Sequence, residues 1–183
     1  MKRVLIPLAA GFEDLEAVTL VDLLRRAGLE VLTAGLAPGL VQGARGLRVQ
    51  PDVLLDDVID ENFDLVALPG GMPGAENLRR DARILAVLKR AAAAGQFTAA
   101  ICAAPIALAE AGLLDGKQAT SYPGFIDKMT IPGCAYSTDA VVVDGTVVTS
   151  RGPGTAMDFA LALISLLCGS AVRDQVEAGL VRG

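Results

Sequence analysis

A chain of 183 residues that is 52% hydrophobic and 20% charged is long enough to bury a full core unaided, and its balance excludes a disordered polypeptide. Its 16 basic and 21 acidic residues give a net charge of −5, which argues against nucleic acid as the main partner, because phosphate binding needs a positive face. Histidine is absent, so a Ser-His-Asp triad, a Cys-His dyad and a His-ligated metal site are excluded from this chain alone.

"RVLIPLA" (3–9) reads as a first strand. The opening "MKRVLIPLAAGFEDLEA" superficially resembles a secretory leader, but Pro7 cuts the apolar run and Glu13, Asp14 and Glu16 follow at once. No segment reaches the ~18 uninterrupted apolar residues of a membrane span, so a soluble protein with no membrane partner is expected. "EDLEAVTLVDLLRRAG" (13–28) suits a helix: Leu15, Val18, Leu20, Val21, Leu23 and Leu24 supply its apolar positions, and Gly28 follows as a stop signal. Arg25 and Arg26 sit in its last turn, where they complement the helix dipole. "LEVLTAG" (29–35) is the next strand, and the glycine-rich residues 36–52 read as a loop with a short strand around Leu47 to Val49. "FDLVALPGG" (63–71) is a buried strand ending in a glycine turn, and "AENLRRDARILAVLKRAAAAG" (75–95) is a helix.

"FTAAI" (97–101) is a strand and 103–112 a helix, with Cys102 between them. "AVVVDGTVVTS" (140–150) reads as a hairpin around Asp144-Gly145, and "GTAMDFALALISLLCG" (154–169) as a helix with a short terminal helix after it. This alternation implies an α/β fold, a mostly parallel sheet with helices on both faces and a β-hairpin excursion. Such sheets bind ligands beyond the carboxyl ends of their strands, where Gly70-Gly71, Cys102 and the "AAGFEDLE" turn would gather. Cys102, Cys134 and Cys168 are odd in number, widely spaced and free of a CxxC pattern, which fits a reducing, cytoplasmic setting without disulfides or structural zinc.

Pro105 is tolerated in a helix's first turn, so the helix after the strand is expected to start at 102 or 103, with the thiol facing free N–H groups that favour thiolate. The strand-to-helix turn resembles a hydrolase nucleophile elbow with alanines in place of the G-x-S-x-G glycines. Free cysteine is also among the most buried residue types, so the local pattern leaves Cys102 open between core filler and nucleophile. Glu13 and Asp14 are accounted for by dipole complementation on a solvated face, whereas Glu16 lies beside the apolar face and follows the first strand into the crevice of Cys102. A carboxyl desolvated there would have a raised pKa and could donate a hydrogen bond to a thiolate. The amides of Gly70 and Gly71 offer an oxyanion hole. "TSRGPGTAMDF" (149–159) has neither the lysine of a P-loop nor dinucleotide-fingerprint spacing, so no cofactor is expected. Cys134 and Cys168 read as structural.

The segments "GFEDLEAVTLVDLLRRAG", "DLVALPGG", "AAICAAP" and "TSRGPGTAMDFALAL" occur in the order and spacing of the ThiJ/PfpI superfamily, and the chain resembles its DJ-one branch from residue 2 to about 181. The resemblance implies one ThiJ/PfpI domain of the class I glutamine amidotransferase-like type over 1–183, a flavodoxin-like three-layer sandwich, and a homodimer. It matches Cys102 to the family nucleophile and Glu16 to the glutamate that contacts it. It matches Gly70 and Gly71 to the pocket backbone, beside the Ala103 amide, and Arg26 and Arg45 to arginines near the dimer-related pocket. One departure is plain: many members carry a histidine in a "T-H-P" segment, and "TSYPGF" puts Tyr122 there. A phenol titrating near ~10 is no base at neutral pH, so histidine-dependent mechanisms, the peptidase reading above all, do not transfer. The resemblance therefore implies a cofactor-independent glyoxalase or deglycase acting on 2-oxoaldehydes or their thiol and amine adducts. The alternative is a redox-sensing stress protein or chaperone whose Cys102 is oxidised to sulfinic acid.

Overall fold

The computed structural model describes residues 1–182. In chain order the elements are β1 (Arg3–Leu8), α1 (Asp14–Arg26), β2 (Glu30–Gly35), β3 (Val41–Gln42), β4 (Arg48–Val49), β5 (Val53–Leu54), α2 (Leu55–Val58), β6 (Leu65–Leu68), α3 (Gly74–Arg80), α4 (Ala82–Ala93) and β7 (Phe97–Ile101). There follow α5 (Pro105–Glu110), β8 (Gln118–Ala119), β9 (Ala135–Tyr136), β10 (Val141–Asp144), β11 (Val147–Ser150), α6 (Ala156–Cys168) and α7 (Ser170–Ala178). The main sheet runs β10-β11-β7-β6-β1-β2-β5, and every pairing in it is parallel except β10 with β11.

The unbroken apolar runs explain this arrangement, because a parallel strand covered on both faces must be hydrophobic throughout. Val4, Leu5 and Ile6 of β1, and Leu65 to Leu68 of β6, are almost wholly buried. Helices α1, α6 and α7 pack together as one layer and α3, α4 and α5 as the other, so the sheet lies in a three-layer α/β sandwich of flavodoxin-like type. From β1 the chain builds to one side through β2 and β5, then crosses back to add β6, β7 and β11 on the other. The order thus reverses between β1 and β6, which opens a crevice at the carboxyl ends of the strands.

Several boundaries differ from the sequence expectation. The helix expected over 75–95 is two helices, broken at Asp81, whose extended backbone and side chain cap α4 by accepting the Arg83 N–H. The helix after β7 begins at Pro105, so Cys102 precedes it by a tight turn and does not open it. The loop 36–52 contains the β3–β4 ribbon, and β5 and α2 follow it. In the hairpin, Asp144 still pairs with Val147, which moves the two-residue turn to Gly145-Thr146. On α1 the buried stripe is Glu16, Ala17, Leu20, Leu23 and Leu24, while Leu15 and Val18 are half exposed. A carboxylate therefore occupies the first position of an i, i+4, i+7 core stripe. Among the described residues no helix is long and apolar enough to cross a membrane.

Candidate active site

Cys102 follows the last residue of β7 with φ 64°, in the left-handed region that a residue bearing a Cβ rarely occupies. Two long-range bonds hold it there. Its N–H donates to the Ser150 carbonyl at the end of β11, and its carbonyl accepts the Tyr122 N–H, both at 2.9 Å. The chain then turns, with Ala104 N–H donating to Ile101 O at 3.0 Å, and enters α5 through Pro105. The elbow aims the thiol out of the sheet, yet Cys102 remains only 8% exposed.

Glu16 reaches the same point from the first turn of α1 and is fully buried. Its Oε2 accepts the Gly70 N–H at 2.8 Å, and the Gly70 carbonyl accepts the Glu13 N–H at 2.9 Å, so the start of α1 grips the Gly70 residue on both sides. Among the described residues its Oε1 has no hydrogen-bond partner. The Cys102 thiol interacts with the same carboxyl. Burial pushes Glu16 up to about 7, helped by the nearby charge of Glu13 and opposed by the Gly70 N–H and the thiol. Burial also pushes Cys102 up to about 12, with the Glu16 charge adding to the effect and the Gly71 and Ala103 N–H groups opposing it. The amides expected to favour thiolate are thus in place, but desolvation and the carboxylate outweigh them. One buried pocket with two acidic groups holds at most one negative charge near neutrality.

Glycine is required where the turns after β1 and β6 meet. A Cβ on Gly70 would lie 2.7 Å from the Cys102 Cβ and 2.8 Å from Glu16 Oε2, and one on Gly71, whose φ is 86°, would lie 2.3 Å from the Glu13 nitrogen. A Cβ on Gly11 would likewise meet Pro73 at 2.4 Å. Sequence reasoning passed over Gly11 and the burial of Glu13. A glycine immediately before "FEDLE" was the available signal for the first, and nothing local marked the second.

The remaining candidates separate. Arg45 stands at the rim, 77% exposed, with its Nε 4.0 Å from the Oε2 of Glu13, whose side chain is only 13% exposed. Asp14 positions this rim: its carboxylate accepts the Arg45 and Leu47 N–H groups, both at 2.8 Å, so Asp14 tethers a loop in addition to complementing a dipole, and Glu13 is not on a solvated face. Arg26 lies at the far end of α1, roughly 15 Å along the axis from Glu16, and is paired with Asp22 at 2.7 Å. Within one chain it does not meet Cys102. Tyr122 does adjoin the elbow, through its backbone bond to Cys102, with a half-exposed ring set edge-on to Phe125. Cys134 and Cys168 are partly buried free thiols away from the elbow, both raised by burial, Cys134 also by Asp115. Among the described residues no group of three or more Cys, Asp or Glu is placed to hold a metal ion.

Residues 2–166 match the DJ-1/PfpI family. Protein DJ-1 homolog A of Arabidopsis thaliana is 43% identical over 183 residues, which cover 98% of this chain but only 46% of that longer protein. The glutathione-independent glyoxalase DJR-1.2 of Caenorhabditis elegans is 40% identical over 157 residues, covering 86% of this chain and 83% of its own. The structure titled Toxoplasma gondii DJ-1, oxidized, superposes with a TM-score of 0.94 at 40% identity and 100% coverage of both chains.

Proposed function

Because the chain belongs to the DJ-1/PfpI family, we propose that it is a cofactor-independent glyoxalase or deglycase that uses Cys102 and Glu16 on 2-oxoaldehydes or their thiol and amine adducts. The observation that carries this reading is the fully buried Glu16 carboxyl set against the Cys102 thiol, with a pKa raised to about 7. A base poised there takes a thiol proton without a histidine. For methylglyoxal, Sγ attacks the aldehyde carbon as Glu16 accepts the thiol proton, and the new oxyanion is met by the Gly71 and Ala103 N–H groups. Return of that proton to oxygen gives a hemithioacetal. Glu16 then takes the proton from the former aldehyde carbon, giving an enediol, and returns it to the adjacent carbon as the hydroxyl proton on the first oxygen passes to the second, leaving a 2-hydroxy thioester. Water cleaves the thioester, so aldehyde plus water becomes lactate and the thiol is regenerated. The relative named a glyoxalase supports this substrate class. The test is lactate release from methylglyoxal: Cys102→Ser is expected to abolish it, and wild-type turnover in that variant would overturn the mechanism.

A second reading has its own support. The same amides, together with a protonated Glu16, suit the two oxygens of a cysteine sulfinate, formed as the thiol consumes two equivalents of peroxide and releases two of water. A related protein was solved in an oxidized form. Intact-mass analysis after mild peroxide separates the readings: a selective gain of two oxygens at Cys102 without aldehyde turnover favours sensing. The half-exposed Leu15 and Val18, beside Leu47 on the tethered loop, support a homodimer through this edge, which light scattering checks.

A further inference from the structure

The left-handed backbone of Cys102 is held by a carbonyl that belongs to Ser150, and the position of that carbonyl is itself fixed by a chain of hydroxyls beyond the site. Ser150 is fully buried. Its Oγ lies 2.8 Å from the Ala140 carbonyl and 2.7 Å from Thr155 Oγ1. A carbonyl only accepts, so the Ser150 hydroxyl donates to Ala140 and the Thr155 hydroxyl donates to Gly152, while the two oxygens share a further contact in which either is able to donate. Thr155 Oγ1 also accepts the Gly152 N–H at 3.1 Å, and its bond to the Gly152 carbonyl is 3.0 Å long. Ala140 O also accepts the Arg151 N–H at 3.1 Å, which ties the end of β11 to the start of β10. The two hydroxyls thus form a relay that links Gly152, Thr155, Ser150 and Ala140.

This relay closes the turn between β11 and α6 on the side that faces the elbow. The turn then makes two contacts with the site. Ser150 O takes the Cys102 N–H at 2.9 Å, and Gly152 lies under the ring of Tyr122, where an added Cβ would be 3.2 Å from Cδ2. Tyr122 N–H closes the circuit on the Cys102 carbonyl at 2.9 Å. The peptide groups flanking a strained φ are thereby clamped from one end of a single turn. A strained conformation persists only where its surroundings over-determine it.

We infer that Ser150 and Thr155 are positioning residues for Cys102: their hydroxyl relay holds the turn that keeps the nucleophile in its left-handed conformation and its Ala103 amide aimed at the reacting atoms. Neither side chain touches the thiol or a substrate. The inference rests on Cys102 being the reactive group, and its test does not depend on aldehyde chemistry.

The probe is iodoacetamide on the full-length chain, with Cys102 and Cys134 alkylation rates read separately by peptide mass mapping. Thr155→Val removes the hydroxyl at nearly constant shape. It is expected to slow Cys102 alkylation by about tenfold or more while leaving Cys134 unchanged, and Thr155→Ser is expected to restore the rate. In methylglyoxal turnover the same variant is expected to lower kcat with KM unchanged. Wild-type Cys102 reactivity in Thr155→Val overturns the inference, as does an equal change at Cys134, which signals general loosening. If Thr155→Val does not fold, Ser150→Ala decides by the same two rates. A wild-type protein without aldehyde turnover would sink the glyoxalase reading and leave the alkylation comparison intact.

Discussion

Glu16 combines two properties that pull against each other, full burial and a negative charge, and each gives a measurable effect. Its folded pKa of about 7 stands above the 4.5 of a free glutamate, so the folded state holds a proton that the unfolded chain has released. That contribution is complete below about pH 4.5 and is lost as pH rises through about 7. The loss is on the order of 3 kcal/mol, and the thiol, raised to about 12, stays protonated throughout the window and adds nothing. Thermal melts between pH 5 and pH 8 are therefore expected to fall by roughly 5–10 °C more in the wild type than in Glu16→Gln. Parallel melts would show that the carboxyl is not desolvated. Glu16→Gln also removes the charge that adds to the effect of burial on the thiol, so the alkylation midpoint of Cys102 is expected to move down while methylglyoxal turnover falls by about 10²–10⁴-fold. An upward move would make the carboxyl chiefly a donor to the thiolate. Gly70→Ala tests the packing: its Cβ has no room between Cys102 and Glu16, and a drop of about 100-fold in Cys102 alkylation is expected.

The elements that carry these residues were legible to different degrees. Apolar runs and glycine stops marked β1, α1, β2, β6 and β7 to within a few residues, because a buried parallel strand needs a continuous hydrophobic run and a helix needs a stripe. The break at Asp81 was readable in principle, since Asp before "ARIL" is a capping signal, but the unbroken helical period on both sides masked it. Asp81→Ala is expected to cost about 1 kcal/mol, seen as a Tm lower by roughly 2–4 °C. Asp14 misled the sequence reading in another way. A carboxylate in a first helical turn already has a sufficient explanation, and its tether to residues 45 and 47 is visible only when a loop some thirty residues later folds back onto it. Asp14→Ala is expected to leave α1 intact and speed tryptic cleavage after Arg45, which a time course reads directly. The hydroxyls of Ser150 and Thr155 carried no sequence signal of a link to Cys102, because their bonds to one another are local and only the Ser150 carbonyl reaches the elbow.

At the scale of the whole molecule, strand order explains why the site lies where it does. Reversal between β1 and β6 leaves the turns after β1, β6 and β7 side by side, so Glu16, Gly70 and Cys102 converge from distant parts of the chain. That convergence was readable from the βαβ alternation, whereas the upward push on the thiol pKa was not, since it depends on how much water the assembled layers exclude. One consequence concerns time and not geometry. The amide of Cys102 waits for a carbonyl forty-eight positions further along, so while the chain is still being made the thiol stands on an ordinary strand end with nothing to bend it. A newborn polypeptide that has not yet delivered β11 to β7 carries an unremarkable cysteine, and the bent one takes shape only after residue 150 has been synthesised and β11 has docked.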